Sequence, residues 1–167
     1  MRPVFPIRSS SRHPSLGFRF PCSCGVRFPY KNYPTPQGGF DWWAALLVQL
    51  ANPARHSPPT KKFEAIIDSG ASKCIFHSDI GKAVGLNIEK GEEEATTGVS
   101  GQPTMTYLHS VSLYVPGGHI LKIKAGFTPE LPVAAILGRS GFFEHFKITF
   151  DPSSNPPGFE LERIYRA

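Results

Sequence analysis

A chain of 167 residues with 40% hydrophobic and 12% aromatic content is long enough for one domain with extensions and too short for two full domains. Its formal net charge of +5 is unevenly placed. Residues 1–40 hold Arg2, Arg8, Arg12, Arg19, Arg27 and Lys31 with no acidic residue, which leaves the remainder close to neutral. The three cysteines, Cys22, Cys24 and Cys74, exclude a disulfide framework, and one Cys-x-Cys pair falls short of the four ligands of a structural zinc.

Residues 1–40 read as a basic, Pro/Arg/Phe-rich leader with poor order, because prolines crowd it and its charge is of one sign. Gly17-Phe18-Arg19-Phe20-Pro21 is echoed by Gly25-Val26-Arg27-Phe28-Pro29, but two copies cannot build a repeat fold. Such a leader can touch nucleic acid or an anionic surface. A plain extension is the stronger expectation, and no nucleic-acid partner is expected. Trp42–Ala51 is the longest apolar stretch, far below the ~20 residues that span a bilayer, so no membrane span is expected. No secretory signal pattern is visible. A cytoplasmic location is the expectation, with the leader as a targeting segment as the alternative.

The folded core is expected over residues 41–167. Trp42–Ala51 reads as a strand or a short helix, Asn52-Pro53 and Ser57-Pro58-Pro59 as a loop, and Phe63–Ile67 as a strand. After a small-residue turn, Cys74-Ile75-Phe76 is extended. Ser78 is expected to cap a helix from Asp79 to Val84, with Gly85 ending it. Glu92-Glu93-Glu94 reads as a solvated loop or edge. A hairpin follows, from Thr96-Thr97 through Gly98-Val99-Ser100-Gly101 to Thr104–Tyr107. Val111, Leu113 and Val115 alternate with Ser110, Ser112 and Tyr114, and Leu121, Ile123 and Ala125 alternate with Ile120, Lys122 and Lys124. That is the two-residue period of half-buried strands, joined here by Pro116-Gly117-Gly118. Val133–Leu137 reads as a strand buried on both sides, and Gly141–Phe146 as a short helix. Phe146–Phe150 and Phe159–Leu161 are the closing strands. Many short strands with one or two short helices imply a small all-β barrel or sandwich.

Asp68-Ser69-Gly70-Ala71 ends the apolar run Ala65-Ile66-Ile67. A carboxylate delivered from a strand onto a small-residue turn can work as an acid or base. Gly70 and Ala71 let another chain approach, and the Ser69 hydroxyl is placed to lock the turn. About thirty residues on comes the glycine-bearing tip Gly98–Gly101, and some forty later Ile136-Leu137-Gly138-Arg139.

This order resembles the retropepsin-like aspartic proteases over roughly residues 42–162. In that family an Asp-Thr/Ser-Gly-Ala turn carries the catalytic Asp, a glycine-rich hairpin forms a flap over substrate, and a hydrophobic-hydrophobic-Gly strand followed by Arg crosses behind the turn. The resemblance implies a small closed all-β barrel. It makes Asp68 the catalytic residue and Ser69, Gly70 and Ala71 the active-site turn. Gly98, Val99, Ser100 and Gly101 become the flap, and Ile136, Leu137, Gly138 and Arg139 the supporting loop. Ile75, Val99, Met105, Leu131 and Val133 become candidate pocket walls. Viral members place an acidic residue after the Ala to pair with the Arg. Here that position is Ser72, so Arg139 is expected to bind a backbone carbonyl or the carboxylate of Glu144 or Asp79. No second Asp-Thr/Ser-Gly occurs, so a homodimer would supply the second Asp for hydrolysis of a peptide or protein substrate. No cofactor and no metal is expected.

The rival is an inactive dimerisation or peptide-binding module of the same shape. A serine hydrolase fits less well, since neither Ser69 nor Ser100 sits in a Gly-x-Ser-x-Gly elbow and His77, His109, His119 and His145 show no base–nucleophile spacing.

Overall fold

The computed structural model describes residues 25–97, 101 and 103–165. Strands take 53% and helices 7%, so the fold is all-β. The strands are β1 (Val26–Pro29), β2 (Lys31–Pro34), β3 (Phe40–Trp43), β4 (Ala45–Ala51), β5 (Phe63–Ile67) and β6 (Ile75–His77). After helix α1 (Ser78–Ala83) and a 3-10 turn at Ile88–Lys90 come β7 (Glu92–Thr97), β8 (Pro103–Val115), β9 (His119–Thr128), β10 (Ala135–Leu137), β11 (Phe146–Asp151) and β12 (Gly158–Arg163).

Six strands close into a barrel in the order β4-β5-β10-β6-β9-β8, and β7 extends β8 beyond it. Closure is made where Gln49, Leu50 and Ala51 of β4 pair with Tyr114, Leu113 and Ser112 of β8. The expectation of a small closed all-β barrel is met. Its interior follows the alternation read from the sequence. Leu46, Val48 and Leu50 point inward with Val111, Leu113, Val115, Leu121, Ile123 and Ala125, all buried. Phe76 stacks on Phe127 at 5.6 Å between ring centres, and both are fully buried. Each such ring contributes about 1.5–3 kcal/mol through the water it gives up.

A second sheet, β1-β12-β11, covers one side, with Phe28 stacked on Phe159 at 5.5 Å. β2 and β3 form a separate hairpin. Both β1 and β2 lie in the stretch expected to be a poorly ordered leader. Apolar Phe28 and Tyr30, packed against the core, draw that stretch onto the fold despite its prolines. The expected leader residues 1–24, with Cys22 and Cys24, lie outside the described residues.

Three local expectations are revised. Trp42–Ala51 is neither one strand nor a helix, since β3 and β4 are separated at Ala44. The helix cap is His77, whose Nδ1 accepts from the Asp79 amide at 3.2 Å, and Ser78 is the buried first helical residue. Residues 141–145 form turns instead of a helix: Gly141 holds φ +94, in the left-handed region, and the Phe143 and Glu144 amides donate five residues back, to the Gly138 and Arg139 carbonyls, instead of four.

Candidate active site

The local order around Asp68 follows from which backbone groups are paired. The Ile67 amide donates to the Ala44 carbonyl at 2.8 Å, and the Asp68 amide donates to the Leu137 carbonyl at 3.1 Å. β5 is therefore held on both flanks up to its last residue. The chain then turns. The Gly70 amide donates to Asp68 Oδ1 at 2.8 Å, and the Ala71 amide to the Asp68 carbonyl at 3.3 Å. These bonds fix the orientation of the carboxylate, which stays exposed together with Ser69 and Gly70.

Ile136 and Leu137 of β10 run parallel to β5, with Ile136 beside Ile66 and Leu137 beside Ile67. On its other side β10 is antiparallel to β6, Ile136 beside Ile75. A three-residue strand thus separates the two strands that flank the Asp68 turn. Beyond it the chain runs alongside the turn. The Arg139 amide donates to the Ala71 carbonyl and the Ser140 amide to the Ser72 carbonyl, both at 2.9 Å, and the Cys74 amide donates back to Ser140 at 3.2 Å. The approach is close enough to demand glycine at 138. A Cβ there would stand 2.2 Å from the Lys73 carbonyl oxygen and 2.8 Å from that of Ala71.

Arg139 Nη1 donates to the Ser69 carbonyl at 3.2 Å. Of the partners expected for Arg139, the backbone carbonyl is the one used. Glu144 instead accepts from the Gly141 amide at 3.0 Å, and Asp79 lies against His77 and Lys82. The Ser69 hydroxyl makes no hydrogen bond among the described residues, so Ser69 serves the turn through its carbonyl.

Of the flap residues, Gly98, Val99 and Ser100 lie outside the described residues; Gly101 is exposed at φ +75. The hairpin that carries them is β7–β8, paired from Glu92 with Leu108 to Thr97 with Pro103. The acidic cluster read as a loop or edge is the start of edge strand β7. Its base is tied down by ion pairs, Glu94 with Lys73 and Glu92 with Lys124. Inside, the Thr106 hydroxyl donates to the Glu94 carbonyl at 2.9 Å. Lys73 was not singled out by sequence reasoning. Nothing in the sequence links it to a glutamate 21 residues away, since only the barrel brings them together.

Of the candidate pocket walls, Ile75, Leu131 and Val133 are half-buried and Met105 is exposed. Val99 lies outside the described residues. A cleft of about 680 Å³ bounded by Phe28, Leu47, Lys62, Tyr114 and Ile120 includes no residue of the Asp68 turn. The turn lies on an open surface. Cys74 beneath it is fully buried, and desolvation pushes its thiol up to about 12, which keeps it protonated and unreactive. His109 Nε2 meets the Ile88 carbonyl at 2.9 Å and His119 stands edge-on to Phe146, both packing roles. Among the described residues no group of three or more His, Cys, Asp and Glu side chains could hold a metal ion. No helix among them is long and apolar enough to cross a membrane.

The arrangement offers one oriented, water-accessible carboxylate, able to take or give a proton. Among the described residues no hydrogen bond joins it to a second acidic side chain. No family model matches the chain, and no curated protein matches it. A crystal structure of a retropepsin-like aspartic protease from Rickettsia conorii aligns with 83% of this chain and 94% of its own, at a TM-score of 0.47 and 13% identity.

Proposed function

We propose that this chain is an aspartic endopeptidase of the retropepsin-like kind, hydrolysing peptide bonds with Asp68 and the Asp68 of a second copy. One observation carries the reading. The Asp68 turn is clamped from behind by Gly138 and Arg139, 70 residues away in sequence, while its carboxylate is left exposed. A turn needed only to reverse the chain has no use for so distant a clamp.

In this mechanism two carboxyls about 3 Å apart share one proton, since both cannot ionise at that distance. The ionised member takes a proton from a water held between them. That water attacks the scissile carbonyl carbon, and the protonated member gives its proton to the carbonyl oxygen. Collapse of the tetrahedral intermediate breaks the C–N bond, and the amine leaves with a proton returned from the dyad. Substrate lies extended between the Asp68 turn and the β7–β8 hairpin, bound by main-chain hydrogen bonds as an added strand. An optimum on the acid side follows from the need for a singly protonated pair.

The test is cleavage of a peptide library by the full chain and by Asp68→Asn across a range of pH. The expected loss is on the order of 10⁴-fold or more. Cleavage that survives the substitution would sink the mechanism. A dimer that cleaves nothing at any pH would favour the peptide-binding module, to which the lone carboxylate of each chain is equally suited.

A further inference from the structure

The strand β3 reads Phe40-Asp41-Trp42-Trp43, and all four residues are exposed. Phe40 is 66% exposed, Trp42 52% and Trp43 39%. Side chains alternate along a strand, so Phe40 and Trp42 share one face and Asp41 and Trp43 the other. The second face is the inner one. Trp43 packs on Tyr33 at 5.6 Å, and both Tyr33 and Lys31 reach Glu64 on the barrel wall. Phe40 and Trp42 therefore face outward, away from the barrel that anchors their hairpin. Large apolar side chains gathered on one exposed strand mark a surface that another body covers.

Two relationships say which body. First, β3 leaves the barrel beside the candidate active site. Its last residue, Trp43, is followed by Ala44, whose carbonyl accepts from Ile67, the residue before Asp68. A body seated on β3 borders the Asp68 turn, and that turn needs a second carboxylate. Second, among the described residues β3 pairs only with β2, so its other edge presents unpaired amides and carbonyls. An edge of this kind is a template for strand addition, and an antiparallel pair of identical strands satisfies a two-fold axis.

We infer that the outward face and open edge of β3, with Phe40 and Trp42 as its anchors, form the surface on which a second copy of this chain seats. The inference rests on the two-copy dyad proposed above and adds the surface that assembles it. The sequence expectation had Trp42 open the strand or short helix Trp42–Ala51. The structure turns it outward, where the partner copy completes its burial.

The chain's two tryptophans both lie in β3, Trp42 on the outward face and Trp43 packed on Tyr33 behind it, so a change in tryptophan emission on dilution reports this strand through Trp42. Sedimentation equilibrium of the full chain, followed by tryptophan emission on dilution, gives the test. The expected result is a monomer–dimer equilibrium whose dissociation red-shifts the emission. Phe40→Ser combined with Trp42→Ser raises the dissociation constant about 100-fold or more, the loss typical of two central aromatic anchors. Asp68→Asn still dimerises. A double variant that dimerises like the parent, or an emission maximum that stays fixed while the dimer dissociates, overturns the surface and leaves the dyad standing. A parent chain that stays monomeric overturns the surface. If that monomer also cleaves peptides in an Asp68-dependent way, the two-copy dyad fails while the protease reading survives. Adsorption of the monomer to phosphatidylcholine vesicles with a blue-shifted emission would assign the face to lipid and overturn the second copy.

Discussion

Arg139 reaches back 70 residues to donate from Nη1 to the carbonyl of Ser69, the residue that follows Asp68. A guanidinium on a backbone carbonyl does not depend on ionisation of its partner, so the clamp holds unchanged through the acid range where an aspartic dyad works. An acidic partner would lose its charge there. Arg139→Met is expected to cost about 1 kcal/mol of stability, the worth of one hydrogen bond to a charged donor at an exposed site. It should lower kcat about tenfold or more by loosening the turn. Denaturant unfolding and steady-state kinetics on the same preparation separate the two effects, and unchanged kinetics would remove Arg139 from the site.

Gly138→Ala is expected to be severe. The added Cβ meets backbone oxygens, which cannot swing away as a flexible side chain would. The cost expected for such a clash is about 3 kcal/mol or more, with separation of β10 from the turn. A fall in the denaturation midpoint checks this. Gly39→Ala, at an exposed turn with only the Thr35 hydroxyl at 3.3 Å, is the neutral comparison.

Lys73 and Glu94 join the Asp68 turn segment to the hairpin that would cover substrate. The pair is partly exposed, Lys73 at 19% and Glu94 at 40%, so its contribution to global stability should stay below about 1 kcal/mol. Its effect is local. Glu94→Gln is expected to speed amide hydrogen exchange in β7 and to raise KM more than it lowers kcat. Added salt should reproduce the effect in the parent protein and not in the variant.

Asp151 shows how the β1 strand responds to acid. Hydrogen bonds from the Ser153 hydroxyl and from Ser154, with Arg27 at 3.5 Å, hold its carboxyl below the usual value of 3.8. A carboxyl depressed in the folded state stabilises above its unfolded pKa, and that contribution disappears as pH falls through the folded value. Melting temperature should therefore drop below roughly pH 4. Asp151→Asn should melt lower at neutral pH and show a shallower fall in acid; an identical acid limb in parent and variant would exclude the linkage.

The parts of this molecule that were legible in sequence are those governed by local rules. Alternation along Val111–Val115 and Leu121–Ala125 gave the β8–β9 hairpin with its Pro-Gly-Gly turn. The continuous apolar run Val133–Leu137 gave a strand set between two others, of which Ala135–Leu137 is the part that pairs. What stayed hidden depends on distant contacts. Phe28 and Tyr30 look like a proline-rich leader until Phe159 is placed beside them. The outward face of Trp42 was hidden as well, because hydropathy carries no information on which side of a hairpin the barrel lies. The Asp68 turn was legible through its small residues, but its clamp to Ser69 was not, since any of several acceptors fitted Arg139 equally well. Gly141 takes a positive φ at the start of the segment expected to be helical, which residue identity permits and does not require.

The position of β10 sets an order of assembly. Three residues near the end of the barrel sequence must slot between β5 and β6, which are made some sixty to seventy residues earlier. Contacts so far apart form late, after the loop between them has closed. A chain emerging from the ribosome therefore holds an unclamped Asp68 turn until residues 135–139 arrive, so the orientation of that carboxylate is among the last features of the barrel to be set.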